Sequence, residues 1–209
     1  MEKIEPFEKF YSRYENWFEE NKYAYKSEFL AIKKVLPHDQ KTIEIGVGSA
    51  RFASPLGIRI GIDPSKKMQK IAQKRGILVL DALAENLPFR ESTFNFALMV
   101  TTICFVKNIL FAFNEAFNIL EPDGSLVIGF IDKHSYMGRL YQKRKNKSVF
   151  YKTATFYSVK KVIYYLKKAG FRSFDFFQTI FHSLEEIDQI EPIKVGYGEG
   201  SFIVIKATK

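Results

Sequence analysis

Glu44, Gly46 and Gly48 in the run Lys41-Thr-Ile-Glu-Ile-Gly-Val-Gly-Ser49, with Asp63 in Ile60-Gly-Ile-Asp-Pro-Ser65, are the residues of this chain whose types and spacing point most directly to chemistry. A β-branched stretch (Thr42, Ile43, Ile45) breaks into glycines, which let a backbone approach a ligand closely. A second apolar stretch (Ile58, Ile60, Ile62) delivers a carboxylate 19 positions after Glu44. That spacing suits the two hydroxyls of a ribose held at a neighbouring strand tip. Glu44, two residues before the first glycine, would repel a phosphate and suits an ammonium group. The pattern asks for a nucleoside ligand that carries a positive charge.

A dinucleotide fingerprint, Gly-x-Gly-x-x-Gly, would place its third glycine at position 51, where helix packs on strand around a pyrophosphate. Arg51 stands there, which weighs against a nicotinamide oxidoreductase.

With these residues the chain resembles the class I S-adenosylmethionine (SAM) dependent methyltransferases, of the methyltransferase-11-like set that acts on small molecules, over nearly its whole length. The family's acid-x-Gly-x-Gly-x-Gly motif is matched by Glu44, Gly46 and Gly48, with Ala50 in the last position. The resemblance implies that Glu44 binds the methionine ammonium, directly or through water, that both glycines let backbone close on the methionyl part, and that Asp63 holds the ribose. Met68 falls where the family packs an apolar side chain on adenine. The family's Gly-Asp-Ala-Glu-x-Leu-Pro-Phe reads Ala82-Leu-Ala-Glu-Asn-Leu-Pro-Phe89 here. Leu83 thus replaces the Asp that would accept from the adenine amine, Ala84 offers its backbone N–H, and Asp81 is a substitute acceptor. Phe94–Thr102 resembles the family's fourth strand, with the backbone at Val100 and Thr101 facing the cofactor's amino acid end, and Ile119–Ile128 resembles its Leu-Lys-Pro-Gly-Gly turn and following strand. SAM is the implied cofactor, and in-line methyl transfer to a small acceptor the implied reaction.

The elements that must position these residues fit an α/β fold: a Rossmann-like, seven-stranded, mostly parallel sheet with helices on both faces and an N-terminal helical extension. The resemblance adds that the last strand is antiparallel. We expect one domain over 1–209, with a helical cap at 1–36 and a basic acceptor-side insertion at 132–158. Aromatics at Phe7, Phe10, Tyr11, Tyr14, Trp17 and Phe18, then Tyr23, Tyr25 and Phe29, recur largely at helical spacing. They predict two short helices that either cap a sheet edge or form a lid over the cofactor, its tip near Tyr23, Tyr25 and Glu28. Phe150 to Gly170 reads as a loop and an amphipathic helix (Val159, Val162, Ile163, Leu166) stopped by Gly170. Phe171–Ile180 reads as the sixth strand and Phe202–Ile205, after a glycine-rich reversal, as the seventh.

Composition bounds the remaining classes. Of 209 residues, 46% are apolar, enough for one substantial core. The start, with Glu2, Lys3 and Glu5, has no apolar run, and no segment has the roughly 18 uninterrupted apolar residues of a membrane span. A cytoplasmic protein is expected. The one cysteine, Cys104, in an apolar stretch, reads as a buried structural thiol.

Charge is uneven. Lys133 to Arg172 holds twelve Lys and Arg with no Asp or Glu, while the rest of the chain holds 20 basic and 23 acidic residues, so the whole net charge of +9 sits in this block. Such a run is as readily a solvated helix face as an attractor of an anionic acceptor, a carboxylated or phosphorylated metabolite. RNA is a less favoured acceptor, since no added binding module or Asn-Pro-Pro-Tyr motif is visible. Tyr136, Arg139, Tyr141 and Arg144 are candidate substrate-binding residues. His134, just after the expected fifth strand, is the candidate catalytic base, with Tyr136, Tyr141 and Tyr151 to orient the acceptor; His182 and His38 are the other histidines. No His, Cys and acid set has metal-ligand spacing. The rival readings are an RNA methyltransferase and a SAM-binding protein without transferase activity.

Overall fold

Short β-branched and aromatic runs form the strands, and the segments between them carry apolar faces at helical spacing. The computed structural model describes residues 3–36 and 41–209. Its strands are β1 (Thr42–Ile45), β2 (Ile60–Ile62), β3 (Leu78–Leu80), β4 (Phe94–Val100), β5 (Leu120–Ile131), β6 (Phe174–Thr179), β7 (Lys194–Val195) and β8 (Phe202–Thr208). Its α-helices are α1 (Glu5–Lys9), α2 (Tyr11–Glu20), α3 (Lys22–Lys33), α4 (Ala53–Leu56), α5 (Lys66–Lys74), α6 (Ile109–Ile119), α7 (Tyr136–Lys143) and α8 (Val159–Lys168). The sheet order is β3-β2-β1-β4-β5-β8-β6-β7. Strands β3 through β5 run parallel, and β8, β6 and β7 are joined antiparallel beyond them.

The seven expected strands are present, and the two-residue β7 is added at the edge of β6. The N-terminal aromatics form three helices where two are expected. Asn21 (φ −114°, ψ 42°) makes the break between the two aromatic groups, and Phe10 (φ −117°, ψ 29°) adds a second one within the first group, which a periodic pattern does not register. Strand β5 begins at Leu120, so it takes in the Pro122–Gly124 turn as an irregularity, with Asp123 at φ +61° and a register shift between Phe94 and Phe96 of β4.

Period-two alternation sorts the central strands between two cores. On one face Ile43, Ile45, Ala97, Met99, Ile128, Ile203 and Ile205 pack with α6 and α8. On the other, Phe96, Leu98, Val100, Val127, Phe202 and Val204 pack with Phe18 of α2, Ala31 and Ile32 of α3, and Ala53 of α4. Capping aligns with sequence: Ser158 starts α8 by accepting from Lys161 N–H, and Gly170 follows it at φ +105°. Strand order reverses direction between β1 and β4, and in open α/β sheets ligands bind in the crevice outside the carboxyl ends of the strands at such a point. Among the described residues no helix is long and apolar enough to cross a membrane.

Candidate active site

The loop after β1 gains its shape from left-handed residues. Gly46 (φ +74°), Gly48 (φ +53°) and Ala50 (φ +64°) alternate, while the N–H groups of Gly46 and Val47 both donate to Ile62 O at 2.9 Å. A Cβ on Gly46 would lie 2.5 Å from Thr102 Cγ2, so glycine is required there by space as well as by φ. Ala50, fully buried, takes the left-handed conformation that the family's third glycine would, at a cost of roughly 1–2 kcal/mol.

Glu44 is 2% exposed, and its Oε2 has no hydrogen-bond partner among the described residues. Burial pushes its carboxyl well above the ordinary range and the nearby Asp63 charge adds to this, against a hydrogen bond from the Ala53 backbone. A buried, unpartnered carboxylate oxygen is costly unless something else completes it, and a ligand ammonium fits that need. Asp63, at the end of β2, accepts from Gly48 N–H through Oδ2 and from Ser65 N–H through Oδ1, both at 2.8 Å. Burial raises it to about 6, opposed by those two hydrogen bonds. Each oxygen keeps a second lone pair for a hydroxyl donor. Ser65 in turn caps α5 by accepting from Met68 N–H.

These groups border a cavity of about 890 Å³. Of the expected cofactor residues, Gly46, Gly48, Asp63, Met68, Leu83, Ala84, Val100 and Thr101 all line it, and Glu44 sits outside its wall. The fields of Glu44 and Asp63 reach the wall at Tyr14 of α2, whose hydroxyl they help to keep protonated after burial itself. Asp81 is turned away: it binds Lys66 at 2.5 Å and Gln69 at 3.2 Å and does not line the cavity. Thr101, β-branched yet at φ +51°, is a strained wall residue of the kind that collects at functional sites.

The N-terminal helices close one side of the cavity with Tyr14, Trp17, Phe18 and Glu28. Arg51 ties this lid to the β1 loop through ion pairs to Glu15 (2.9 Å) and Glu19 (2.8 Å), and Arg75 pairs with the same Glu15 carboxylate at 2.5 Å. The side chain that argued against a dinucleotide thus serves as a latch.

Opposite the cofactor loop the wall is aromatic. Tyr141 and Tyr151 stack with ring centroids 4.9 Å apart, Phe105 stacks on Tyr151 at 6.2 Å, and Phe7 meets Phe105 at 5.0 Å and Phe150 at 5.4 Å. Of the expected acceptor residues, Tyr141 and Arg144 line the cavity. His134, Tyr136 and Arg139 do not: all three are exposed, and Arg139 donates to the His134 carbonyl. Helix α7 explains the split. Met137 faces the core, and Tyr141 and Arg144, four and seven residues on, follow that face, which leaves 136 and 139 outside. His182, exposed and paired with Glu191, is also outside the wall, and His38 lies outside the described residues. Cys104 donates to Thr101 O, and burial pushes its thiol up to about 12. No metal-holding group of His, Cys, Asp and Glu occurs among the described residues.

Two wall residues, Tyr14 and Glu28, carry more weight in the cavity than their sequence signals suggest. Tyr14 was legible only as one aromatic of a stripe. Glu28 had a usable signal: it falls with Ala24, Ala31 and Ile32 on the buried face of α3, where a carboxylate is out of place unless it has work there.

A glycine-turned loop at the switch point, a ribose-type carboxylate one strand over and an unpartnered acid behind the loop define an α/β enzyme that binds an adenosyl cofactor. The family model described as "Methyltransferase domain" matches residues 43–128. A crystal structure from Thermotoga maritima, described as a SAM-dependent methyltransferase and possible histamine N-methyltransferase, is 50% identical, with a TM-score of 0.96, and covers 98% of this chain and 99% of its own. An uncharacterized protein of Methanocaldococcus jannaschii is 45% identical over 97% of this chain and 98% of its own. An uncharacterized Mycobacterium tuberculosis protein is 39% identical over 134 residues, 64% of this chain and 47% of its own length. The chain belongs to the class I SAM-dependent methyltransferases, and SAM is its cofactor.

Proposed function

We propose that this enzyme methylates a small acceptor bearing an aromatic ring, held in the cavity half walled by Phe7, Phe105, Tyr141, Phe150 and Tyr151. One observation carries the reading: this stacked aromatic wall and the cofactor loop line the same cavity. Its volume of about 890 Å³ lies near the top of the roughly 300–1,000 Å³ range of small-molecule pockets, which suits a cofactor and a compact acceptor together. The description of the Thermotoga maritima relative as a possible histamine N-methyltransferase fits an acceptor of that size.

SAM supplies a methyl group already activated by its sulfonium. The chain's part is binding, alignment and exclusion of water. Glu44 offers its free oxygen to the ammonium end, Asp63 accepts from the ribose hydroxyls, and Met68 packs on the adenine. The lid, latched by Glu15 to Arg51 and Arg75, covers one side of the cavity. Alignment of this kind can supply roughly 7–11 kcal/mol in favourable cases.

A second reading, an anionic acceptor, is favoured by Arg144 and Lys147, the residues of the basic block that reach the wall. Incubation with SAM and parallel sets of ring-bearing and open-chain acceptors, followed by release of S-adenosylhomocysteine, separates the two. Turnover of ring-bearing acceptors supports the first; turnover confined to open-chain anions would replace it with the second.

A further inference from the structure

Glu28 is a buried carboxyl in the cavity wall that neither cofactor binding nor the latch engages. It lies on α3, 7% exposed, and lines the cavity. Among the described residues nothing donates a hydrogen bond or an ion pair to it, although Ser27 beside it is fully engaged: Ser27 Oγ donates to Tyr23 O at 2.7 Å and accepts from Glu191 N–H at 2.8 Å. The titratable groups around it come from four segments. Tyr141 on α7 and Tyr151 in the 3-10 turn Tyr151–Thr153 both feel its charge. Glu185, after β6, acts on the same Tyr141 hydroxyl, and Tyr14 of α2 acts on Tyr151. Arg144 and Lys147 line the cavity without pairing with it.

Tyr151 stacks on Tyr141 and on Phe105, and through Phe7 this row of rings reaches Tyr14, whose hydroxyl lies beside Gly48 of the cofactor loop. Stacked rings around an unpaired carboxylate make a site for an organic cation: the ring faces attract it and the carboxylate neutralises it. A carboxylic acid acceptor would meet Glu28 as a like charge.

We propose that Glu28 binds the amine nitrogen of the acceptor and receives the proton that this nitrogen loses on methylation, so that the substrates are ring-bearing amines. The inference rests on the aromatic reading of the cavity given above. The bound ammonium first passes a proton to the Glu28 carboxylate, which frees the nitrogen lone pair; that pair forms the new N–C bond as the C–S bond of SAM breaks with its electron pair left on sulfur. Product N-methylammonium, S-adenosylhomocysteine and a protonated Glu28 balance the step; the Glu28 proton then leaves to water. Burial, which raises Glu28 to about 8, makes it a stronger base than a surface carboxylate and so suits it to this transfer.

The test is binding of three probes of similar size, 2-phenylethylamine, 2-phenylethanol and 3-phenylpropanoate, to the parent and to Glu28→Gln and Glu28→Asp, with and without S-adenosylhomocysteine, at pH 8. The parent is expected to favour the amine by about tenfold or more over both other probes. Glu28→Gln loses that preference with S-adenosylhomocysteine affinity unchanged, and Glu28→Asp keeps part of it. Glu28→Gln is also expected to melt at a higher temperature than the parent at pH 8, because a buried carboxyl that opposes folding has been removed. Equal binding of the three probes by the parent, a preference for 3-phenylpropanoate, or a lower melting temperature for Glu28→Gln would overturn the proposal. Because the probe preference is also read on the free protein, failure of S-adenosylhomocysteine to bind would strike the cofactor site and leave the Glu28 result standing.

Discussion

The two halves of the cavity are built by different means. The cofactor half is largely backbone: Gly46, Gly48 and Ala50 at positive φ, a Gly48 N–H fixed on Asp63, and strand ends that lie side by side in the sheet. The acceptor half is side chains, drawn from Phe7 on α1, Glu28 on α3 and the segment from Tyr141 to Tyr151, more than a hundred residues away in sequence. The difference teaches where this enzyme can change. A backbone cradle fails if its φ angles or close approaches are altered, whereas a side-chain wall can be rewritten residue by residue on an unchanged sheet.

Substitutions can break that contrast if it is wrong. The largest effect is expected from Glu44→Ala, which leaves a ligand ammonium without its buried counter-charge. SAM affinity should fall on the order of a hundredfold by calorimetry, with the protein still folded by circular dichroism. Asp63→Ala should weaken SAM by roughly ten- to a hundredfold, and the parent should show a matching pH dependence. Asp63 must be ionised to accept both hydroxyls, so affinity should drop as pH falls through about 6.

Stability should move the other way. Glu28, Glu44 and Asp63 each hold a proton to higher pH in the folded chain than in the unfolded one. The unfolded chain therefore releases protons first, and the stability of the ligand-free protein should fall as pH rises from about 4 through about 8 in a thermal-melt series. A melting temperature that rose steadily over that window would contradict the burial of these acids.

Gly46→Ala probes the cradle itself. Its Cβ would meet Thr102 Cγ2 at 2.5 Å at a left-handed φ, so a loss of about 1–3 kcal/mol in denaturant unfolding is expected, together with weaker SAM binding. The smallest effects lie on α7. Arg144→Gln should spare SAM and shift the acceptor KM several-fold, downward for an amine and upward for an anion, while Arg139→Gln, on the outer face, should change neither. Equal shifts from both would mean that the basic block acts as a field rather than through the wall.

The same contrast explains what the sequence could reveal. Backbone cradles leave signatures because glycine, β-branched runs and a carboxylate at a fixed offset are required by geometry within one βαβ unit. Glu44, Gly46, Gly48 and Asp63 were therefore legible, as were β1 from its β-branched run, β4 from its resemblance to the family's fourth strand and α8 from its periodicity. His134, Tyr136 and Arg139 stand close in sequence to the fifth strand, yet His134 lies exposed just before α7, and the helix, which starts at Tyr136, turns that residue and Arg139 outward. Glycine at 138 fixes that start: a Cβ there would lie 2.0 Å from Asp132 O. The aromatic wall could not be read at all as a wall, because Phe7, Phe105 and Tyr151 are far apart in sequence and meet only in the folded chain. The split of α1 from α2 was hidden for a simpler reason, since Phe10 continues the aromatic stripe, whereas the break at Asn21 falls between the two aromatic groups.

The most direct test of the cofactor site is a calorimetric titration of the purified protein with S-adenosylhomocysteine and, in parallel, with NADH. The account predicts saturable binding of one S-adenosylhomocysteine per chain and no heat of binding with NADH. Binding of NADH in place of S-adenosylhomocysteine would contradict it.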